Sequence, residues 1–142
     1  MFAKDEEAST GFSNNAFRPI WHQKLVNEVA PMNAFISNDG KFVITTDDYA
    51  HLGYGENVVV IYGSEGKLVR RFRLTAFLSE AEIQNAPRSV SSIYWAGDHQ
   101  VDTQNECLVL QVWQSGGTSE TTPPVFKTVR IRLATGDIVV EQ

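Results

Sequence analysis

Two stretches of this chain spell the same hairpin. Ile61-Tyr62-Gly63-Ser64-Glu65-Gly66-Lys67-Leu68-Val69 aligns with Arg132-Leu133-Ala134-Thr135-Gly136-Asp137-Ile138-Val139 after one deletion in the turn. Upstream, Phe42-Val43-Ile44-Thr45 aligns with Leu108-Val109-Leu110-Gln111. Each half reads as strand, turn or loop, strand, long loop, strand, glycine turn, strand. A period of about 65–70 residues with that content commits most of the chain to antiparallel β meanders, in units of about 32–74 and 90–140.

The turns name themselves by chemistry. Ser37-Asn38-Asp39-Gly40 joins a run at 32–37 to the β-branched run 41–46; Asn and Asp bond nearby backbone and glycine takes a positive φ at little cost, which makes a hairpin. Val58 to Tyr62 is apolar on both faces, as a central buried strand requires. Residues 68–74 alternate, with Phe72 predicted inward and Arg71 outward; in the run 127–133, Ile131 is predicted inward and Arg132 outward. Ser79-Glu80-Ala81-Glu82 fits a capping box and Pro87 cannot continue a helix, so a short helix is predicted at about 80–86. Residues 20–26 and 90–95 also read as strands, with 97–105 linking the latter to the strand that begins at Cys107. Residues 1–16 show neither period and read as a flexible tail before a single domain at 17–142.

The segments 37–45 and 57–69 resemble generic β-propeller blades of the WD-repeat, NHL and quinoprotein kinds found in bacterial proteins. The resemblance implies a fold: four-stranded blade-like sheets. The Gly-His and Trp-Asp signatures of true WD repeats are absent. Propellers close with about 4–8 blades and this chain offers two, so the fold expected is all-β, two four-stranded antiparallel sheets as a half-propeller or a sandwich, with one short helix.

Charge and motifs narrow the function. Seventeen acidic residues against twelve basic ones argue against nucleic acid as a partner. The longest aliphatic run, Val58 to Ile61, is far below the ~20 residues of a membrane-spanning helix, so no membrane association is expected. Met1 to Glu7 has no apolar core after its lysine, so a cytoplasmic location is expected. One cysteine, Cys107, excludes an intrachain disulfide and reads as a packed small side chain. No phosphate-loop, dinucleotide or metal-ligand spacing occurs, so no cofactor or metal is expected.

Three groups of residues carry candidate chemistry. The loop at 47–57 holds Asp47, Asp48, His51 and Glu56 between Tyr49 and Tyr54; the stretch Trp95-Ala96-Gly97-Asp98-His99 adds an Asp-His pair beside an indole. If both reach one end of the sheets, His51, His99, Asp48 and Asp98 form a candidate general acid–base group. Tyr49, Tyr54 and Trp95 offer flat faces to a ligand. Arg71-Phe72-Arg73-Leu74 and Arg130-Ile131-Arg132-Leu133 are near copies, and Arg71, Arg73, Arg130 and Arg132 form a candidate surface for an anion or an acidic partner. The leading expectation is a binding module that works as a homodimer, through the 20–26 strand or an open sheet face. The alternative is a small hydrolase or lyase, metal-dependent or built on His and Asp.

Overall fold

The computed structural model describes residues 18–19 and 21–140. The predicted tail at 1–16 lies outside the described residues. Eight strands and one α-helix follow in order: β1 (Pro31–Ile36), β2 (Val43–Asp48), β3 (Val59–Tyr62), β4 (Leu68–Phe72), α1 (Glu80–Asn85), β5 (Ala96–Asp102), β6 (Cys107–Ser115), β7 (Val125–Arg132) and β8 (Ile138–Val140). They make two antiparallel sheets, β1-β2-β3-β4 and β5-β6-β7-β8, each a meander in which every strand pairs with its neighbour in sequence. The fold is therefore all-β with one short helix, and the two halves of the chain share one topology.

Local chemistry explains the turns. In the β1–β2 hairpin the Ser37 hydroxyl donates to Asp39 Oδ1 at 2.7 Å, and the Lys41 amide donates to the same oxygen at 3.0 Å. The Phe42 amide closes the turn on Ser37 Oγ at 3.0 Å. These donors, the Lys41 amide first, hold the Asp39 carboxyl below its ordinary pKa. The two matched glycines, Gly66 and Gly136, both sit at positive φ, +75° and +77°. A side chain there would strain both hairpins. Helix α1 carries the full capping box: the Glu82 amide donates to Ser79 Oγ at 3.2 Å, and the Ser79 amide donates to the Glu82 carboxylate at 2.7 Å.

The two sheets share one core. Ile44, Val59, Ile61 and Phe72 from the first meet Leu108, Leu110, Val112, Val129 and Ile131 from the second, and Leu74, Phe77, Leu78, Ile93 and Trp95 close the same cluster. Phe72 and Ile131 are buried and Arg71 and Arg132 exposed, as the alternation predicts. Cys107 is buried, with its thiol donating to the Asn105 carbonyl at 3.3 Å. Among the described residues no helix is long and apolar enough to cross a membrane.

Two strand expectations are corrected. Residues 90–95 are not a strand: Val90 and Tyr94 are exposed, while Ile93 and Trp95 turn into the core from irregular backbone, with the Ile93 amide donating to the Leu52 carbonyl at 2.9 Å. The strand lies one step later, in the stretch read as a link. Ala96-Gly97-Asp98-His99-Gln100-Val101-Asp102 forms β5 because β6 offers it a hydrogen-bond ladder, with a bulge between Ala96 and His99. Hence Trp95 and Tyr94 lie outside strands.

The other correction concerns 20–26. Ile20 is outside the described residues, and 21–26 form no strand. They cross the outer face of the first sheet instead. A Cβ on Gly66 would lie 2.9 Å from the Trp21 ring, so that indole rests on the β3–β4 turn. The Val26 amide donates to the Tyr62 hydroxyl at 2.9 Å, and that hydroxyl donates to Asn27 Oδ1 at 2.9 Å.

Candidate functional site

Strands β1 and β5 are each the first strand of a sheet, and among the described residues no further strand pairs with either outer edge. Their core-facing sides converge on Phe35 and His99, whose ring centroids are 6.5 Å apart, edge to face. Trp95 also packs against the imidazole, 5.4 Å between centroids. Between the two strands opens a cleft of about 390 Å³. Met32, Phe35 and Leu52 supply apolar wall; Asn33, Thr46, Asp98 and His99 supply polar groups.

Asp47 forms the floor. It stands at φ +55°, an uncommon conformation for a residue with a side chain, and it is buried. Its carboxylate accepts from the Trp95 indole N–H, at 2.9 Å to Oδ2 and 3.2 Å to Oδ1, and from the Gly53 amide at 2.8 Å. Two donors, the indole N–H shared between both oxygens and the Gly53 amide, explain how a buried carboxyl group can sit there. They also tie the 47–57 loop to the segment before β5, across the two sheets.

His99 is different. Burial pushes its pKa down to about 4, against the opposing charge of Asp98. The imidazole is therefore neutral near pH 7. Its Nδ1 is buried and, among the described residues, has no hydrogen-bond partner, a condition that is uncommon in folded proteins and costs free energy.

The remaining sequence candidates scatter. His51 and Tyr49 are exposed in the loop after β2, and Tyr54 is exposed nearby. Asp48 is the last residue of β2, paired with Pro31. Asp98 is exposed at the mouth of the cleft. Trp95 is 1% exposed, so it offers no free face and instead holds Asp47 and flanks His99. Among the described residues no group of three or more His, Cys, Asp or Glu comes together. The arginine pairs lie on different sheets and meet different carboxylates. Arg71 and Arg73 flank Glu56, whereas Arg130 meets Asp102 at 3.0 Å. Arg132 is exposed on β7.

Sequence reasoning missed Phe35, Asn33 and Leu52. The alternation of β1 places Asn33 and Phe35 on one side, a signal that was present; Leu52 had none. The chemistry available is that of a neutral imidazole packed against aromatic rings, able to exchange one hydrogen bond. An imidazole with a conjugate acid near pKa 4 is a weak base at pH 7.

No family model, no curated protein and no solved structure matches this chain.

Proposed function

We propose that the chain is a non-enzymatic binding module that takes a small, uncharged, flat ligand in the cleft between β1 and β5. The observation that carries this reading is the buried Nδ1 of His99, unpartnered among the described residues, beside a cleft with mixed apolar and polar walls. A ligand that supplied the missing hydrogen bond would recover the desolvation cost of that nitrogen. The Phe35 ring, in the cleft wall beside the imidazole, favours a flat partner. The hydrolase alternative has less support: Asp98 reaches His99 through charge and not through a hydrogen bond to Nδ1.

The test follows the imidazole itself. Indole, phenol and benzamide are titrated into the protein while the ring-nitrogen NMR shifts of His99 are recorded. Saturable shifts are expected, and in His99→Phe the same ligands should no longer perturb the Trp95 indole N–H resonance next to the cleft. Binding that leaves the His99 nitrogens unmoved would place the ligand elsewhere and end this reading.

Self-association belongs to the same proposal, through a different strand from the one the sequence suggested. On β1, Met32 and Ile36 are 45% and 63% exposed and share one side of that edge strand. A second copy pairing there would cover both. Light scattering at micromolar concentration gives the answer: a mass that stays near one chain's 15.8 kDa on concentration removes the dimer.

A further inference from the structure

Away from the β1–β5 cleft, a second recess of about 360 Å³ lies where β4 leaves the first sheet. Arg70, Arg71, Arg73, Thr75 and Glu56 line it. Strand alternation sends Arg71 and Arg73 to the same side, and the turn before β3 brings Glu56 between them. Arg73 hydrogen-bonds one Glu56 oxygen, and Arg71 stands 3.7 Å from the other. Arg70 is anchored separately, over the Phe72 ring at 5.0 Å and donating to the Gly136 carbonyl at 3.0 Å. Two guanidinium groups therefore meet one carboxylate, with a third arginine at the rim of the recess, on a chain whose formal net charge is −5. That local excess runs against the balance of the whole molecule.

One carboxylate neutralises one charge and leaves the second guanidinium of the Arg71–Arg73 pair without a full counter-charge. We propose that this pair is a binding site for a doubly charged oxyanion, a free phosphate or the phosphate group of a small ester, with Glu56 as the carboxylate that occupies it in the absence of ligand. A phosphate presents three oxygens to planar donors whose geometry suits it, and it carries the charge that Glu56 lacks. Binding displaces Glu56 toward solvent, where half of its side chain already lies. The recess leaves room beyond the phosphate for part of an organic group. The site is separate from the β1–β5 cleft, so either can fail without the other.

The probes are inorganic phosphate and phenyl phosphate, titrated into the full chain at low ionic strength, with arginine side-chain N–H resonances as the readout. Sodium chloride at matched ionic strength is the control. Saturable shifts at Arg71 and Arg73 are expected with phosphate and not with chloride. Arg73→Ala should weaken binding by about tenfold or more, the loss of a charge-assisted hydrogen bond. Arg73→Lys should recover part of it. Glu56→Gln should strengthen binding, because a competing charge is gone. The exposed positions of these side chains let the variants fold, which a thermal melt checks. If chloride reproduces the shifts, or Glu56→Gln weakens binding or leaves it unchanged, the proposal is overturned. Shifts with a hexaglutamate peptide and none with phosphate would also overturn it, in favour of an acidic protein partner.

Discussion

The outer face of the first sheet carries Thr45, Val60 and Tyr62, all at most 1% exposed. The outer face of the second carries Gln111, Thr128 and Arg130, which pair among themselves and with Asp102. The topologies are the same, and the faces demand different treatment. An apolar outer face must be covered, and residues 21–30 cover it, with Asn27 receiving bonds from Tyr62 and Thr45. A polar outer face needs no such cover, and the apolar residues that β6 places in it, Cys107 and Val109, lie opposite Arg132 and Arg130, whose stems can shield them. A repeat in backbone is thus compatible with two different roles for its halves.

The first strands differ in the same way at one position. The alignment that matches Ile44 with Leu110 also matches Phe35, which pairs with Ile44, to His99, which pairs with Leu110. One half fills the core-facing position with a hydrocarbon ring. The other fills it with an imidazole whose buried nitrogen has no partner among the described residues. That substitution is the strongest sign of function in the molecule, because it carries a stability cost that an apolar ring would avoid.

The shared core should make the sheets inseparable. Phe72→Ala should cost about 3–5 kcal/mol and Leu110→Ala about 2–5 kcal/mol, both in a single unfolding transition. Two separate transitions in either variant would show that the sheets are independent units and break the comparison at its root.

The Phe35–His99 difference should appear as a pH dependence belonging to the second half. The folded pKa of His99 is about 4 and its ordinary value 6.5. Above pH 6.5 neither state binds this proton. As pH falls from 6.5 to 4 the unfolded chain takes it up and the folded one does not, so stability declines by up to about 3 kcal/mol, and this group adds nothing further below 4. The lowered carboxyls of Glu56 and Glu82 add their own loss only below about 4.5, as they protonate in the unfolded chain first. Denaturant melts of wild type and His99→Phe across pH 4–7 isolate the imidazole: the variant should lose the slope between 6.5 and 4.5, and an unchanged slope would mean the ring is not shielded from water.

Covering the outer face should matter in one sheet only. Tyr62→Phe leaves the Val26 amide without its acceptor and should cost about 1–3 kcal/mol, whereas Thr128→Val on the polar face should cost under about 1 kcal/mol. Equal losses would show that residues 21–30 contribute nothing as a cover. The smallest effect is expected from Arg71→Ala, under about 0.5 kcal/mol, because its ion pair is solvent-exposed. A thermal melt that shifts as far as that of Phe72→Ala would place Arg71 on the wrong side of β4.

What the sequence determined by itself was set within a few residues of chain. The Ser79–Glu82 cap, the Asp39–Gly40 turn, the paired glycines at 66 and 136 and the alternation of Phe72 with Arg71 all act through neighbours on the backbone, so composition and spacing suffice to read them. Tertiary structure decided the rest. Strand β5 is polar and bulged, and it is a strand because β6 stands beside it. Residues 21–26 alternate like a strand yet join no ladder, because their hydrogen bonds go to the face of the first sheet at Tyr62. Trp95 reads as a ligand platform and is instead walled in, bonded to Asp47 from the other half of the chain. His99 is ordinary in sequence; only the packing of Phe35 and Trp95 around it removes its water, and desolvation depends on what distant segments fold against a side chain.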